Sequence, residues 1–525
     1  MSLSGLLDLQ ADRRPEAEAV VDVDRVWSYE EVATRRGQVS AALMGLGIEP
    51  GTRVGVHCNK GVDGLIAMHA IVSMGAIAVP LDPASPPRRL VRICEQMQID
   101  VVISHALRAR SIAALHELRA LRAVVGLDIE TEADGLECVG PDGLARLDAT
   151  APVSVGDDAL AYIITTSGST GEPKGIVHTH GSAMAYAEMT ERTFALTNTD
   201  RVSDIAPFHF DISTLSVWSV PLVGATNVVV NEAYQRLPAS HSTLLADQAV
   251  TLWYSVPFLL QQLLRRGDLE NRDLSALRWV HFGGEVMAPE IVAEMMRHCP
   301  NATFANIFGP AETNHCSLAV IDTPPPADVP LSIGYALDHT EVRVVDVDAS
   351  VPDDAHMVDP GEKGELWVHT PQLMDGYWGQ ADTNAAVIKK IGDKQYYRTG
   401  DLVSMSADGE LSFHGRIDHQ VKVRGYRIEL EGIEQILEKL GGVEHVVVGV
   451  FRAHSNQDEL VAGLLGATSD FDEANFLQAS ASVLPSYAVP TKTVRIDQPT
   501  FTGSGKLDRR TLREKAVVAV KGNPE

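Results

Sequence analysis

Seven short apolar runs recur between segments of mixed polarity up to Gly284: "RVGVHC", "AIAVPL", "VVISH", "AVVGL", "ALAYII", "NVVVN" and "LRWVHFGG". They are rich in Val and Ile and apolar almost throughout, the pattern of strands buried on both faces of a parallel sheet. Such a sheet needs helices over it, and "YEEVATRRGQVSAALMGLG" supplies one. Its apolar residues fall at helical spacing, with Ser28 before it as N-cap and Gly47 at its end as C-cap. The class that follows is α/β.

From about Val342 the texture changes to shorter strands with turn signals, as in "GELWVH", "QYYRTGD" and "GELSFHGRIDHQVKVRG". A last stretch holds the helix "ELEGIEQILEKLGG", the strand "VEHVVVGVF" and the helical "FDEANFLQASASVLPSY". A chain of 525 residues exceeds one ordinary core. The expected division is a large multi-sheet α/β domain over 1–417 and a small, mobile α+β domain over 418–525.

With 44 basic and 70 acidic residues the net charge is −26, which argues against a surface built to hold nucleic acid or anionic lipid. The cysteines, Cys58, Cys94, Cys138, Cys299 and Cys316, are scattered and form no C-x-x-C pair, so neither a disulfide framework nor a zinc site is indicated. No basic N-terminal region precedes a long apolar run, and the most apolar stretch, "AIVSMGAIAVPL", is broken at Pro80. No signal peptide or membrane span is expected, and a reducing cytoplasm is the expected home.

The stretch "YIITTSGSTGEPKGIVHTH" leaves a strand and enters a loop of glycines and hydroxyls with one lysine, which can present N–H and O–H groups to phosphate oxygens. The Walker pattern does not fit, because Lys174 is preceded by Pro173 and followed by Gly175. On its own the loop is equally readable as an inert surface turn.

The wider set of motifs decides between these. "TTSGSTGEPKG" resembles the phosphate loop of the adenylate-forming superfamily, which includes acyl-CoA synthetases, luciferases and nonribosomal peptide synthetase adenylation domains. Further motifs of that superfamily follow in order: "FHFDIS", "NIFGPAET", "GELWV", "YRTGD", "GRIDHQVKVRGYRIEL", "LPSYAVP" and "GSGKLDR". The resemblance runs from about Trp27 to Arg509.

It implies an ATP- and Mg²⁺-dependent ligase that joins a carboxylate to AMP and then passes the acyl group to a thiol. Thr166, Ser167, Gly168, Ser169, Thr170, Gly171 and Lys174 match the loop on the β- and γ-phosphates. Glu312 matches the Mg²⁺ carboxylate, and Thr313 beside it approaches the α-phosphate. Phe308 and Gly309 match the adenine-stacking turn, with Gly283, Gly284 and Glu285 lining the same pocket. Asp401 takes the ribose hydroxyls with Arg416 assisting, Lys506 bridges carboxylate and α-phosphate, and Asp418 is the hinge. The chain departs from the pattern at Ala311, where threonine is common.

Asp211 matches the aspartate that pairs with a substrate amino group, since a buried carboxylate needs a cationic partner. By the same resemblance Ile212, Leu215, Tyr254, Val280, Phe282, Ile307, His315 and Cys316 line the side-chain pocket, with Phe282 making it shallow. A small, mostly apolar amino acid is expected, alanine-like or proline, with a β-amino acid left open.

No carrier motif of the Gly-Gly-His/Asp-Ser type occurs, so the acceptor is expected to be the phosphopantetheine thiol of a separate carrier protein in a natural-product pathway. A ligase for free coenzyme A is the nearest rival. A non-catalytic scaffold is the rival of another class, opposed by the presence of Lys174, Glu312, Asp401 and Lys506. A basic end, Arg509, Arg510, Arg513, Lys515 and Lys521, is one candidate face for an acidic carrier.

Overall fold

A computed structural model of the chain describes residues 2–23, 25–105, 109–117, 121–128, 135–167, 172–347, 357–418, 420–453, 457–468, 471–500 and 507–522. All seven apolar runs are strands. Packing divides the chain into two compact units. One comprises Met1–Pro83, Met97–Thr165 and Gly175–Ile417; the other comprises Ala84–Gln96, Thr166–Lys174 and Asp418–Glu525.

The first unit is built on large sheets. In the nine-stranded sheet, Thr303–Phe308, Trp279–Gly283, Leu252–Ser255, Arg201–Asp204, Thr226–Val229 and Glu18–Asp22 run parallel in that spatial order. Ser317–Ile321 and Tyr335–Ala336 close one edge antiparallel, and Arg25–Ser28 closes the other. The eight-stranded sheet has Ile77–Pro80, Arg53–His57, Val101–Ser104 and Ala123–Gly126 as its parallel centre. Leu160–Ser167 and Pro173–Thr179, the strands flanking the phosphate loop, stand beside them. A smaller antiparallel sheet pairs Glu341–Val345, Lys363–His369, Lys394–Met405 and Ile388–Ile391, with Leu411–Arg416 on the third of these.

Helix Tyr29–Gly45 shows how local sequence fixes an element. Ser28 and Glu31 form a reciprocal capping box at its start. At its end Gly47 sits at φ 75°, and the Ile48 N–H reaches back to the Leu43 carbonyl. Its inner face joins the main core, where every residue of Val62–Ser73 except Asp63 is buried.

Parallel strands place their C-terminal ends along one edge, and in open α/β sheets ligands bind beyond that edge. Here the loops leaving Arg201–Asp204, Leu252–Ser255, Trp279–Gly283 and Thr303–Phe308 carry Asp211, Val256, Gly284 and Glu312 respectively.

In the second unit, His445–Arg452, Asp458–Leu465 and Lys492–Ile496 form a three-stranded sheet. Helices Leu430–Glu438 and Glu473–Val483 contribute Leu430, Ile433, Leu437 and Phe476 to one core, and Arg509–Gly522 contributes Leu512 and Ala516 to another. Glu434 is fully buried and accepts from Arg513 Nε and the Val448 N–H, both at 2.8 Å, and from Arg509 Nη1. Two residues of the basic end are therefore turned inward, while Arg510, Lys515 and Lys521 stay exposed. Arg509 and Arg513 are committed inward to Glu434, Arg510 pairs with Glu514, and Lys515 donates to Thr500.

Candidate active site

Strand geometry decides which side chains meet at the sheet edge. Successive residues of a strand point to opposite faces, and residues in register on parallel neighbours share a face. Tyr254 pairs with His281, which pairs with Ala305, while Trp253 pairs with Val280, which pairs with Phe304. Tyr254, Ala305 and Ile307 pack with Leu215 and Phe194, with Ile212 at the margin. Val280 and Phe282 pack on the opposite face, with Trp253, Met287, Val292 and Met295. The structure thus corrects two expected pocket residues: Val280 and Phe282 belong to the core behind the sheet. The residue between them, His281, takes the pocket face.

Cys316 is a third correction. It is buried with Val344, Leu366, Val403 and Leu411 beside the smaller sheet rather than with Tyr254 and Ile307. Burial first and the Asp401 charge second push its thiol up to about 12, so it is an inert core group.

His315 stays with the pocket cluster. Its Nε2 lies 3.2 Å from the Tyr254 hydroxyl and 3.4 Å from that of Tyr186. Burial holds it down to about 3, so the imidazole is neutral. His281 lies against Phe194, Tyr254 and Trp279, and neither of its ring nitrogens has a hydrogen-bond partner among the described residues. It too is kept neutral, chiefly by burial.

Asp211 opens a single helical turn, Asp211–Ser213, at the end of a loop tied down by hydroxyls. Ser213 donates to the Phe208 and Phe210 carbonyls, and Thr214 donates to the Asp211 carbonyl. The half-buried carboxylate accepts from the Ile212 N–H at 3.0 Å. Its charge reaches the phenols of Tyr162, Tyr186 and Tyr254, whose acidity is suppressed mainly by burial and further by Asp211.

The turn after Thr303–Phe308 carries Glu312. Gly309 and Gly283 allow it, because a Cβ at either would collide with a backbone carbonyl, that of Asn314 and that of Ile307 respectively. Glu312 is 1% exposed, and its Oε1 accepts from the Tyr377 hydroxyl at 2.7 Å, which in turn lies 3.2 Å from the Tyr397 hydroxyl. Its carbonyl accepts from the Met374 N–H. Thr313 is fully buried, with its N–H on the Pro310 carbonyl. The Ala311 methyl sits among Ile176, Met374, Tyr377 and Tyr397, so the missing threonine hydroxyl is replaced by apolar packing. One carboxylate with hydroxyl neighbours is a hard oxygen donor set, which fits magnesium because that ion takes one or two carboxylates and keeps water and phosphate for the rest.

Asp401 and Arg416 are partners across Lys394–Met405 and Leu411–Arg416, joined at 2.6 Å. Arg416 Nη2 also donates to the Thr399 carbonyl, and Thr399 Oγ1 accepts from the Asp401 N–H. Phe308 is half-buried, its ring 6.0 Å from that of Phe413. Gly284 and Glu285 follow the strand end at Gly283.

Thr166 and Ser167 close strand Leu160–Ser167, and Lys174 lies in Pro173–Thr179. Gly168, Ser169, Thr170, Gly171 and Lys506 lie outside the described residues. Asp418 accepts from the Gln420 N–H at 3.2 Å. Sequence reasoning missed Tyr186, His281, Tyr377 and Tyr397. Strand alternation within "LRWVHFGG" held the signal for His281; nothing in the sequence marks Tyr377, which sits in a two-residue strand.

Residues 7–378 match the family described as AMP-binding enzyme. The chain belongs to the AMP-binding enzyme family. This AMP-binding enzyme is a member of the adenylate-forming superfamily. The phenyloxazoline synthase MbtB of Mycobacterium sp. (strain MCS) is 32% identical to it over 507 residues, covering 96% of this chain and 41% of that protein, so the chain spans less than half of that relative's length. The L-proline--(L-prolyl-carrier protein) ligase of Pseudomonas fluorescens is 32% identical over 502 residues, covering 95% of this chain and 96% of that one. Among solved structures, the amide bond synthetase McbA from Marinactinospora thermotolerans shares the fold, with a TM-score of 0.85 at 21% identity over 98% of this chain and 99% of that one. Among the described residues of the AMP-binding enzyme, no helix is long and apolar enough to cross a membrane.

Proposed function

We propose that this AMP-binding enzyme activates an amino acid as its adenylate and transfers it to the phosphopantetheine thiol of a separate carrier protein. The observation that carries this reading is the carboxylate of Asp211, half-buried at the pocket and close enough to perturb three phenols. A substrate ammonium is the natural complement of that charge. The proline ligase, matched over nearly its whole length, acts by its name on an amino acid and a carrier protein.

In this reading a carboxylate oxygen of the amino acid attacks the α-phosphorus of ATP, the bond to the β-phosphate oxygen breaks, and pyrophosphate leaves. Both reactants are anionic, so placed donors and cations carry the catalysis. The loop from Thr166 to Lys174 cradles the departing phosphates. Phe308 stacks on adenine above Gly283, Gly284 and Glu285, and Asp401, locked by Arg416, accepts the ribose hydroxyls. Thr313 approaches the α-phosphate, and Lys506 bridges it to the substrate carboxylate. Glu312 would hold magnesium, which supplies positive charge to the phosphate oxygens. The small unit turns about Asp418 for the second half-reaction.

Ile212, Leu215 and Ile307 support a small, largely apolar side chain, alanine-like or proline, or a β-amino acid. Without Phe282 there is no ground for a shallow floor, and Tyr254 and His315 add hydrogen-bonding groups to the wall.

Pyrophosphate release across amino acids of both hands, β-alanine and deaminated acids tests the reading. Asp211→Ala is expected to lose about 100-fold or more with the best amino acid, the loss of a buried ionic partner. Activity with deaminated acids alone would remove the assigned role of Asp211. Thioester yield with a phosphopantetheinylated carrier should exceed that with free coenzyme A, and the reverse order would favour the coenzyme A ligase. ATP binding with no turnover of any acid would favour the scaffold.

A further inference from the structure

We propose that His178 is a positioning residue for the adenylation centre, its Nε2–H holding the Ala311 carbonyl and so setting the direction of the Glu312 carboxylate. This rests on the proposed magnesium role of Glu312. His178 lies on Pro173–Thr179 and is 1% exposed, with Nε2 3.0 Å from the Ala311 oxygen. A carbonyl only accepts, so the proton of that bond is on Nε2. On the other side of the ring, Nδ1 lies 3.4 Å from Ser182 Oγ. Ser182 is itself fixed by reciprocal 3.0 Å bonds with Thr179 at the start of helix His180–Phe194. The imidazole is also stacked on Tyr162, 4.9 Å between centroids at 14°. Three contacts leave the ring one orientation, with its donor aimed at the turn.

The turn has reason to need that donor. The Ala311 side chain faces an apolar cluster and cannot hydrogen-bond. Nearly every buried carbonyl has a partner, and here the partner is His178. The same strand grips Glu312 by a second route. Ile176 pairs with Tyr377, whose hydroxyl holds Glu312 Oε1, and the Val177 carbonyl accepts from the Asp375 N–H. Residues 176–178 therefore fix the backbone on one side of Glu312 and its carboxylate on the other. An aliphatic residue at 178 would suit a buried strand equally well by packing alone, but would leave the Ala311 carbonyl bare.

The test uses the full chain with Mn²⁺ as the metal probe, its binding read by electron paramagnetic resonance in the presence of a non-hydrolysable ATP analogue. His178→Phe keeps the stack and removes the donor. It is expected to weaken Mn²⁺ binding about 10-fold, the usual scale for losing an outer partner of a metal ligand. Half-saturating Mg²⁺ in pyrophosphate release should rise by a similar factor, with KM for the amino acid unchanged. His178→Gln, which restores an N–H near the Nε2 position, should recover most of the loss. In a Glu312→Gln background His178→Phe should add almost nothing. Wild-type Mn²⁺ binding in His178→Phe, or full additivity with Glu312→Gln, overturns the proposal. If Glu312→Gln alone leaves Mn²⁺ binding unchanged, the metal reading of Glu312 fails instead, a distinct result. Should His178→Phe not fold, Ser182→Ala carries the test, with a smaller loss in the same direction expected and no change overturning it.

Discussion

Asp401 Oδ1 and Arg416 Nη1 stand 2.6 Å apart as cross-strand partners, with only 7% and 14% of their side chains exposed. A carboxylate has two oxygens and about four acceptor sites, so the guanidinium orients the group without exhausting it. The strand register makes this pairing, which is why a carboxylate in "YRTGD" and an arginine 15 positions later act as one unit.

Asp401→Asn should therefore weaken ATP binding by about 10–100-fold, the cost of losing a charged acceptor of about 1.5–3 kcal/mol. Arg416→Ala should do more, because it leaves the carboxylate buried without its main partner and destabilises the fold by about 3–5 kcal/mol. Calorimetric titration with ATP and urea unfolding separate the two effects. ATP affinity unchanged in Asp401→Asn would take the ribose contact away from this pair.

The assignment of sheet faces is equally testable. Phe282 is fully buried behind the sheet, so Phe282→Ala should cost about 3–5 kcal/mol of stability yet leave the ranking of activated amino acids unchanged. His281→Phe removes two ring nitrogens that have no partner among the described residues and should shift that ranking with little loss of stability. A ranking that moves with residue 282 and not with 281 would mean that the faces are assigned the wrong way round.

In the small unit Glu434 collects Arg509, Arg513 and the Val448 N–H. Glu434→Ala leaves Arg509 and Arg513 with only their longer ion pairs, to Glu438 at 3.5 Å and Glu431 at 3.9 Å, and should destabilise this unit by about 3 kcal/mol. Limited proteolysis should then cut first near Arg509 or Arg513. A digestion pattern identical to wild type would show that water takes over the role of Glu434.

The α/β class was legible because seven Val- and Ile-rich runs allow little else, and the capping box at Ser28 and Glu31 was written in adjacent residues. Asp401 and Arg416 were legible as motif members but not as a pair, since register between strands is a tertiary property. Val280 and Phe282 were placed on the pocket because a one-residue shift on a strand reverses every side chain. Tyr377 and His178 were invisible, as their roles depend on the turn at 309–313 meeting a strand far from it in sequence.

Acid should unfold this protein steeply. Burial depresses His69 and His241 to about 4 and His315 to about 3, against 6.5 for an unfolded imidazole. For a depressed histidine the stability is fully present above the unfolded value and is lost as pH falls toward the folded one, because the unfolded chain takes up the proton first. These three alone give a loss of about 4 kcal/mol per pH unit between roughly pH 6 and 4, and His178 and His180, also held to about 4 by burial, together with His281, steepen it further. Asp63 opposes this. Burial, and then the charge of Asp128, raise it to about 6, so its contribution grows as pH falls through that value and offsets about 1.4 kcal/mol per pH unit, the share of a single histidine. Urea midpoints measured at fixed ionic strength should be nearly flat between about pH 7 and 8 and drop sharply below about pH 6. A midpoint that holds to about pH 4.5 would show that water reaches these imidazoles and that their burial is less complete than the packing indicates.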